Sequence, residues 1–113
     1  MNCLFCRIIQ DKITSKRIYE DESILAFEDV SPQAPVHILI IPKKHIPTSL
    51  DIEEKDHELI GRMFQVANKI AIDRGVAERG FRIVMNCNSE AGQTVFHIHL
   101  HLLAGRAMNW PPG

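Results

Sequence analysis

The sequence has no long hydrophobic run and no excess of one charge sign, and both absences exclude classes of protein. The longest aliphatic run, Ile38 to Ile41, is far shorter than the roughly 20 residues of a membrane-spanning helix. The formal net charge is -1, so we expect neither a membrane partner nor a nucleic acid polymer bound through bulk electrostatics. A length of 113 residues suits one globular domain, expected over residues 1–113 with a C-terminal tail at 105–113.

Cysteine is also scarce, with three residues in the chain. An odd number, of which Cys3 and Cys6 lie close together, argues against a disulfide scaffold and predicts a reducing, cytoplasmic compartment. The first twelve residues contain no basic stretch followed by an apolar run, so we expect no secretory signal.

The periodicity of apolar residues predicts an α+β fold: an antiparallel sheet with one long helix and a short N-terminal helix over residues 3–10. Apolar positions three and four residues apart indicate a long helix of about 22 residues, starting at a capping box formed by Asp51 and Glu54 and ending at Gly75. The proline-containing tail from Ala107 onward is expected to be neither helix nor central strand. The expected strands are Arg17–Glu20, Ser23–Glu28, Val36–Ile41, Phe81–Asn86 and Val95–Leu103.

Three of the six histidines, at 97, 99 and 101, alternate with apolar residues in one short segment. In a strand they would share one face. A solvated polar face is one interpretation, but serine, threonine or lysine would serve it equally well. A single metal held by all three is another, yet the backbones of His97 and His101 would lie about 13 Å apart, whereas metal–nitrogen bonds are about 2 Å. Nucleophilic catalysis is the third, and it favours His99, which is flanked on both sides.

The order histidine, apolar, histidine, apolar, histidine, apolar, apolar resembles the signature of the histidine-triad (HIT) family. The rest of the chain resembles its Hint branch, the nucleoside phosphoramidases, over nearly the whole length. The resemblance implies hydrolysis of the P–N bond of adenosine 5′-monophosphoramidate-type substrates through a nucleotidyl-histidine intermediate. The other matching pieces are Phe27–Pro35, His37–His45, Asn86, Gly92–Val95 and Gly105–Gly113.

The resemblance also implies roles for individual catalytic residues. His99 would be the nucleophile, and His101 would hydrogen-bond the phosphate and the leaving group. His97 and His37 would complete the histidine cluster. Thr94 stands where the branch commonly has serine, with its hydroxyl facing the phosphate or leaving group.

A nucleotide pocket is implied in the same way. Asp29 would accept hydrogen bonds from the ribose hydroxyls, although it could also simply cap a turn before Ser31 and Pro32. Asn86 and the segment containing Gly92 and Gln93 would contact the phosphate or sugar. An apolar slot for the base would be formed by five residues: Phe5, Ile8, Ile13, Phe27 and Val30. Of these, Ile8 and Phe27 could equally be plain core residues.

Cys3 and Cys6 have the two-residue spacing of a zinc site, which is a weak signal alone. The resemblance implies a structural zinc that these cysteines would share with His45 and His97. Two buried cysteines acting as small hydrophobes are the alternative. The chemistry itself is expected to need no cofactor.

The implied partners are purine nucleoside monophosphate derivatives such as AMP and GMP, together with a second copy of the chain that continues the sheet in a homodimer. Two other functions stay open: a dinucleoside polyphosphate hydrolase, and a nucleotide-sensing or partner-binding module with weak turnover. A nucleotidylyl transferase is disfavoured, because that branch has glutamine at the third triad position, where this chain has His101.

Overall fold

Five strands, two α-helices and three short 3₁₀ helices form the fold in the computed structural model, which describes residues 2–113. The strands form one antiparallel sheet in the order β1-β2-β3-β5-β4. Within these residues, no helix has the length and apolar character to span a membrane. The elements are α1 (Leu4–Ile9), β1 (Arg17–Glu20), β2 (Ile24–Glu28), β3 (Val36–Pro42), α2 (His57–Asp73), β4 (Phe81–Val84) and β5 (Leu100–Ala104).

The two faces of the sheet bury different sets of strand residues, because successive side chains of a strand point to opposite sides. Even-numbered residues pack against α2 and include Ile24, Ala26, Ile38, Ile40, Leu100 and Leu102, together with Ile98 just before β5. Odd-numbered residues pack with α1 and include Leu25, Phe27, Leu39 and Ile41. The predicted fold class is confirmed, and the histidines of the triad lie on the side of the sheet that carries α1.

The predicted start of the long helix, at Asp51 and Glu54, is wrong. These residues lie in two separate 3₁₀ turns, and α2 begins at His57 and has 17 residues. The Asp51 carboxylate accepts the backbone N–H of Thr48, and Ile52 then adopts an extended conformation with φ −68° and ψ 127°. The acidic residues therefore close turns before the helix rather than starting it.

The last strand is also shorter than the predicted Val95–Leu103, since it begins only at Leu100. Its neighbour β3 ends at Pro42, which has no N–H to continue the ladder. The N–H of Ile98 donates instead to the carbonyl oxygen of Ile46, at 2.8 Å. The segment that carries the first two triad histidines is thus fixed by contacts outside the sheet.

Candidate active site

A cavity of about 380 Å³ opens on the α1 side of the sheet. His99, His101 and Thr94 contribute to its wall beside the predicted apolar slot and the predicted ribose-binding carboxylate: Phe5, Ile8, Ile13, Phe27, Val30 and Asp29. The sequence did not indicate six further lining residues: Leu4, Thr14, Ser15, Glu28, Leu39 and Val95. Phe27 and Ile8 are both core residues and cavity residues.

Among the described residues, the lining omits three of the predicted nucleotide contacts: Asn86, Gly92 and Gln93. The amide nitrogen of Gln93 donates to the carbonyl oxygens of Pro47, at 2.8 Å, and Val95, at 3.1 Å. Its amide oxygen accepts the backbone N–H of Asn88 at 2.8 Å. The Gln93 side chain therefore holds the loop that presents Thr94 to the cavity.

The imidazole of His99 is oriented by one backbone contact. Its Nδ1 lies 2.8 Å from the carbonyl oxygen of His97. A carbonyl oxygen can only accept, so Nδ1 carries the proton and Nε2 keeps the lone pair. Burial lowers the pKa of His99 below its ordinary value, and the ring is therefore neutral near pH 7. A neutral imidazole with a free Nε2 at a cavity wall is suited to nucleophilic attack.

His37 and His101 form a chain of hydrogen bonds that fixes the proton of each ring. The backbone N–H of Gln33 donates to His37 Nδ1 at 3.0 Å, so neutral His37 carries its proton on Nε2. That Nε2 lies 2.9 Å from His101 Nδ1, which must accept. His101 therefore holds its proton on Nε2. That N–H can donate a hydrogen bond to a group in the cavity. Burial is the main cause that lowers the pKa of His101 to about 4.

Asp29 lies between a turn and the cavity. One carboxylate oxygen accepts the backbone N–H of Ser31 at 2.8 Å, which caps the turn. The other lies 3.4 Å from His37 Nε2. The side chain is 18% exposed, so a carboxylate oxygen remains within reach of a ligand. Turn capping and ligand binding are thus compatible at this residue.

The His97 side chain points away from the cavity and belongs to a candidate metal-binding group. Its Nε2 lies 2.7 Å from the carbonyl oxygen of Pro42 and must donate, which leaves the lone pair on Nδ1. That Nδ1 lies 3.5 Å from Cys3 Sγ, 3.6 Å from Cys6 Sγ and 3.2 Å from His45 Nδ1. One ligand atom from each of the four residues lies within 4.8 Å of every other, so the group can hold a metal ion.

A second cluster with metal-ligand chemistry, formed by Asp29, His37 and His101, also brings its ligand atoms within 4.8 Å. Here the tautomers argue against a metal. Because the N–H of Gln33 fixes the proton of His37 on Nε2, the nitrogen that faces the other two residues is a donor and not a ligand. The two clusters therefore differ in chemistry: the first could hold a metal ion, whereas the second fixes protons on histidine nitrogens.

Some of these functional contacts have no signal in the sequence. The backbone groups of Gln33 and Pro42 set two histidine tautomers, and nothing in the residue type indicates this. Leu39 could have been found, because it lies two residues from His37 on the same strand and shares its face.

Comparison with known proteins identifies the family of the chain. The HIT domain family matches residues 10–108. The chain belongs to the HIT domain family. It is 50% identical over 105 residues to the purine nucleoside phosphoramidase of Escherichia coli strain K12, covering 93% of this chain and 88% of that protein.

Solved structures of HIT proteins share the fold. A HIT family hydrolase from Legionella pneumophila Philadelphia 1 has a TM-score of 0.97 and 54% identity, covering 99% of this chain and 100% of that one. A HIT family hydrolase from Clostridium thermocellum has a TM-score of 0.93 and 48% identity, covering 96% and 94%. The sheet and helices of this HIT chain are therefore those of the hydrolases it resembles.

Proposed function

We propose that this HIT chain is a purine nucleoside phosphoramidase, which cleaves the P–N bond of substrates such as adenosine 5′-monophosphoramidate through a nucleotidyl intermediate on His99. The observation that carries this proposal is the free Nε2 of a neutral His99 at the wall of a largely apolar cavity. The 50% identity to the E. coli purine nucleoside phosphoramidase supports the same reaction.

Each part of a purine nucleotide has a matching surface in the cavity. The base would lie in the apolar slot beside Phe5 and Phe27, whose ring centroids are 5.6 Å apart. The ribose hydroxyls would donate to Asp29, and the hydroxyl of Thr94 would face the phosphate. The apolar slot offers no selection between AMP and GMP, so both are proposed ligands.

The reaction has two balanced steps. His99 Nε2 attacks the α-phosphorus, the P–N bond to the amine breaks, and the amine takes a proton from solvent through the Thr94 hydroxyl. His101 donates a hydrogen bond from Nε2 to a phosphoryl oxygen, while its Nδ1 continues to accept from His37. Water then attacks phosphorus and returns a proton to solvent through the same hydroxyl, and the bond between phosphorus and His99 breaks. The second step restores His99 and releases the nucleoside monophosphate.

The metal-binding group fits zinc. Tetrahedral zinc, with bonds of about 2.3 Å to sulfur and about 2.05 Å to nitrogen, separates sulfur from nitrogen by about 3.6 Å and two nitrogens by about 3.3 Å. The separations from His97 Nδ1 are 3.5 and 3.6 Å to Cys3 and Cys6 Sγ and 3.2 Å to His45 Nδ1. The Pro42 carbonyl that accepts from His97 is the outer hydrogen bond that zinc-bound histidines usually make. Bound zinc would supply a structural tie between α1 and the triad segment.

Metal analysis of the untagged protein tests this assignment. We expect about one zinc per chain, lost when Cys3→Ser and Cys6→Ser are combined. Zinc that survives the double substitution would show that these cysteines are not its ligands.

A homodimer and a cytoplasmic location are also part of the proposal. Strand β4 is the last strand of the sheet among the described residues, and apolar side chains are exposed on α2 at Phe64 and Ile72. A second copy would cover both features. The cysteines at 3, 6 and 87 form no disulfide within the described residues, which suits a reducing compartment.

Turnover of adenosine 5′-phosphoramidate should be compared with that of a dinucleoside polyphosphate at equal concentration. We expect the phosphoramidate to have the larger kcat/KM. The reverse order would place the chain among the dinucleoside polyphosphate hydrolases. Tight binding of AMP without turnover of either substrate would indicate a nucleotide-sensing module.

A further inference from the structure

Helix α1 is shared by the metal-binding group and the nucleotide cavity. Cys3 is its N-cap residue and Cys6 lies in its first turn, with the Cys3 sulfur accepting the backbone N–H of Cys6 at 3.4 Å. Phe5 and Ile8 of the same helix line the cavity. A shift of α1 would therefore change both sites together.

The ring of Phe5 lies against both of the first two triad histidines. Its centroid is 5.0 Å from that of His99, with the two planes at 88°, and 5.9 Å from that of His97, at 72°. The side chain is buried and also contacts Phe27 edge-on. Since aromatic edge-to-face contacts favour one arrangement of the rings, Phe5 restricts the orientation of the His99 imidazole.

Helix α1 has little intrinsic stability of its own. It has six residues, and isolated helices shorter than about 12 to 15 residues are marginal in water. Its position thus depends on tertiary contacts. One of them is the hydrogen bond that the Arg17 guanidinium donates to the carbonyl oxygen of Ile8, at 2.9 Å. A metal ion held by Cys3, Cys6, His45 and His97 would clamp the start of the helix to the segment that precedes His99.

We infer that Phe5 is a positioning residue for His99 and that it couples occupancy of the Cys3–Cys6 metal site to nucleotide binding in the cavity. Metal binding fixes α1, and α1 places the Phe5 ring against the His99 imidazole and the base slot. Coupling between two sites is reciprocal, so bound nucleotide must strengthen metal binding by the same factor as metal strengthens nucleotide binding.

The inference rests on the proposed function for its ligand, and its test uses equilibrium binding instead of turnover. The zinc affinity of the full chain is measured by competition with a chelating dye, with and without saturating AMP. We expect AMP to tighten zinc binding at least about fivefold, the lower end of ordinary coupling between sites. The AMP affinity, measured with and without zinc, should change by the same factor.

Phe5→Leu keeps an apolar side chain and removes the ring. It should still bind zinc, while the coupling factor falls to about one. The matched control is Phe27→Leu, because Phe27 lines the same cavity and contacts Phe5. That variant should bind AMP more weakly and keep the coupling. If Phe5→Leu does not fold, Phe5→Met takes its place.

Three results would overturn the inference: no coupling in the unmodified chain, full coupling in Phe5→Leu, or failure of zinc or AMP to bind at all. Coupling without turnover of adenosine 5′-phosphoramidate would instead retain the inference and reject the proposed reaction. The two failures are therefore distinguishable.

Discussion

His99 Nδ1 lies 2.8 Å from the carbonyl oxygen of His97. The backbone carbonyl of the first triad histidine thus orients the imidazole of the second. The side chain of the first histidine lies beside Cys3, Cys6 and His45. Substituting the His97 side chain leaves this carbonyl in place. The two uses of His97 explain how one segment could supply both the proposed nucleophile and a proposed metal ligand two residues apart.

Replacing His99 with alanine should abolish turnover and preserve nucleotide binding. The substitution removes the attacking nitrogen, and loss of a nucleophile costs more than about 10³-fold in kcat. The affinity for AMP, measured by calorimetry, should stay within about threefold because the base slot and Asp29 are unchanged.

Labelled substrate gives the direct check of the same assignment. Quenching the reaction of the unmodified protein and digesting it should yield a nucleotide adduct on the peptide that contains His99. An adduct on another residue would refute the assignment. His57→Ala is a suitable control, since His57 is exposed at the start of α2 and should keep full activity.

Replacing Asp29 with asparagine should weaken the binding of ribonucleotides far more than the binding of their 2′-deoxy counterparts. Asparagine can still accept the N–H of Ser31 and hold the turn, but it lacks the charge that strengthens bonds to ribose hydroxyls. A hydrogen bond to a charged group contributes about 1.5–3 kcal/mol, or roughly 10- to 150-fold in affinity. Dissociation constants of AMP and 2′-deoxy-AMP measure the difference, and equal losses would exclude the role.

Stability should fall as the pH decreases from about 6.5 to about 4. Burial lowers the pKa of His101 in the folded protein from 6.5 to about 4, so the unfolded chain binds a proton first as the pH drops. The free energy of unfolding then decreases by at most about 1.4 kcal/mol per pH unit for this group and is unaffected above pH 6.5. Urea unfolding at several pH values measures this effect. The free energy of unfolding of His101→Asn should depend less steeply on pH than that of the unmodified protein, and equal slopes would contradict the prediction.

Much of the fold could be predicted from the sequence because apolar periodicity is a local signal. Strand β1 has the predicted bounds, and the alternation of faces around His99 holds even where the chain leaves the sheet. Errors occurred where a long-range partner decides the structure. The ladder ends before Ile98 because of Pro42, and the turn at Asp51 depends on its bond to Thr48.

The site could be predicted only at the level of residue types. A histidine's spacing indicates which face it shares, but its tautomer depends on backbone groups that the sequence does not reveal. Gln93 shows the same limit, since its side chain bonds to backbone groups of the loop. The family resemblance implies for His97 both a place in the histidine cluster and a place among the metal ligands, and the direction of its side chain depends on the carbonyl of Pro42.

The C-terminal tail should determine which leaving groups the protein accepts, and its place should depend on a homodimer. Trp110 is 82% exposed and is followed by two prolines, so the tail is stiff and apolar yet barely covered by its own chain. Docking beside the cavity of a second copy would bury it. Light scattering should then give twice the 12.9 kDa of one chain, and a mass of 12.9 kDa would exclude the dimer.

Truncation after Met108 separates the role of the tail from the chemistry. His99, His101 and Asp29 stay in place, so the rate on the smallest phosphoramidate should change by less than about threefold, the size of a surface effect. The rate on substrates with large apolar amines should fall further, because burying the Trp110 side chain against such an amine contributes about 1.5–3 kcal/mol. Trp110→Ala in the full-length chain should reproduce the loss without removing the prolines. If both variants keep the preference profile of the unmodified protein across a series of amines, the tail does not contact the leaving group.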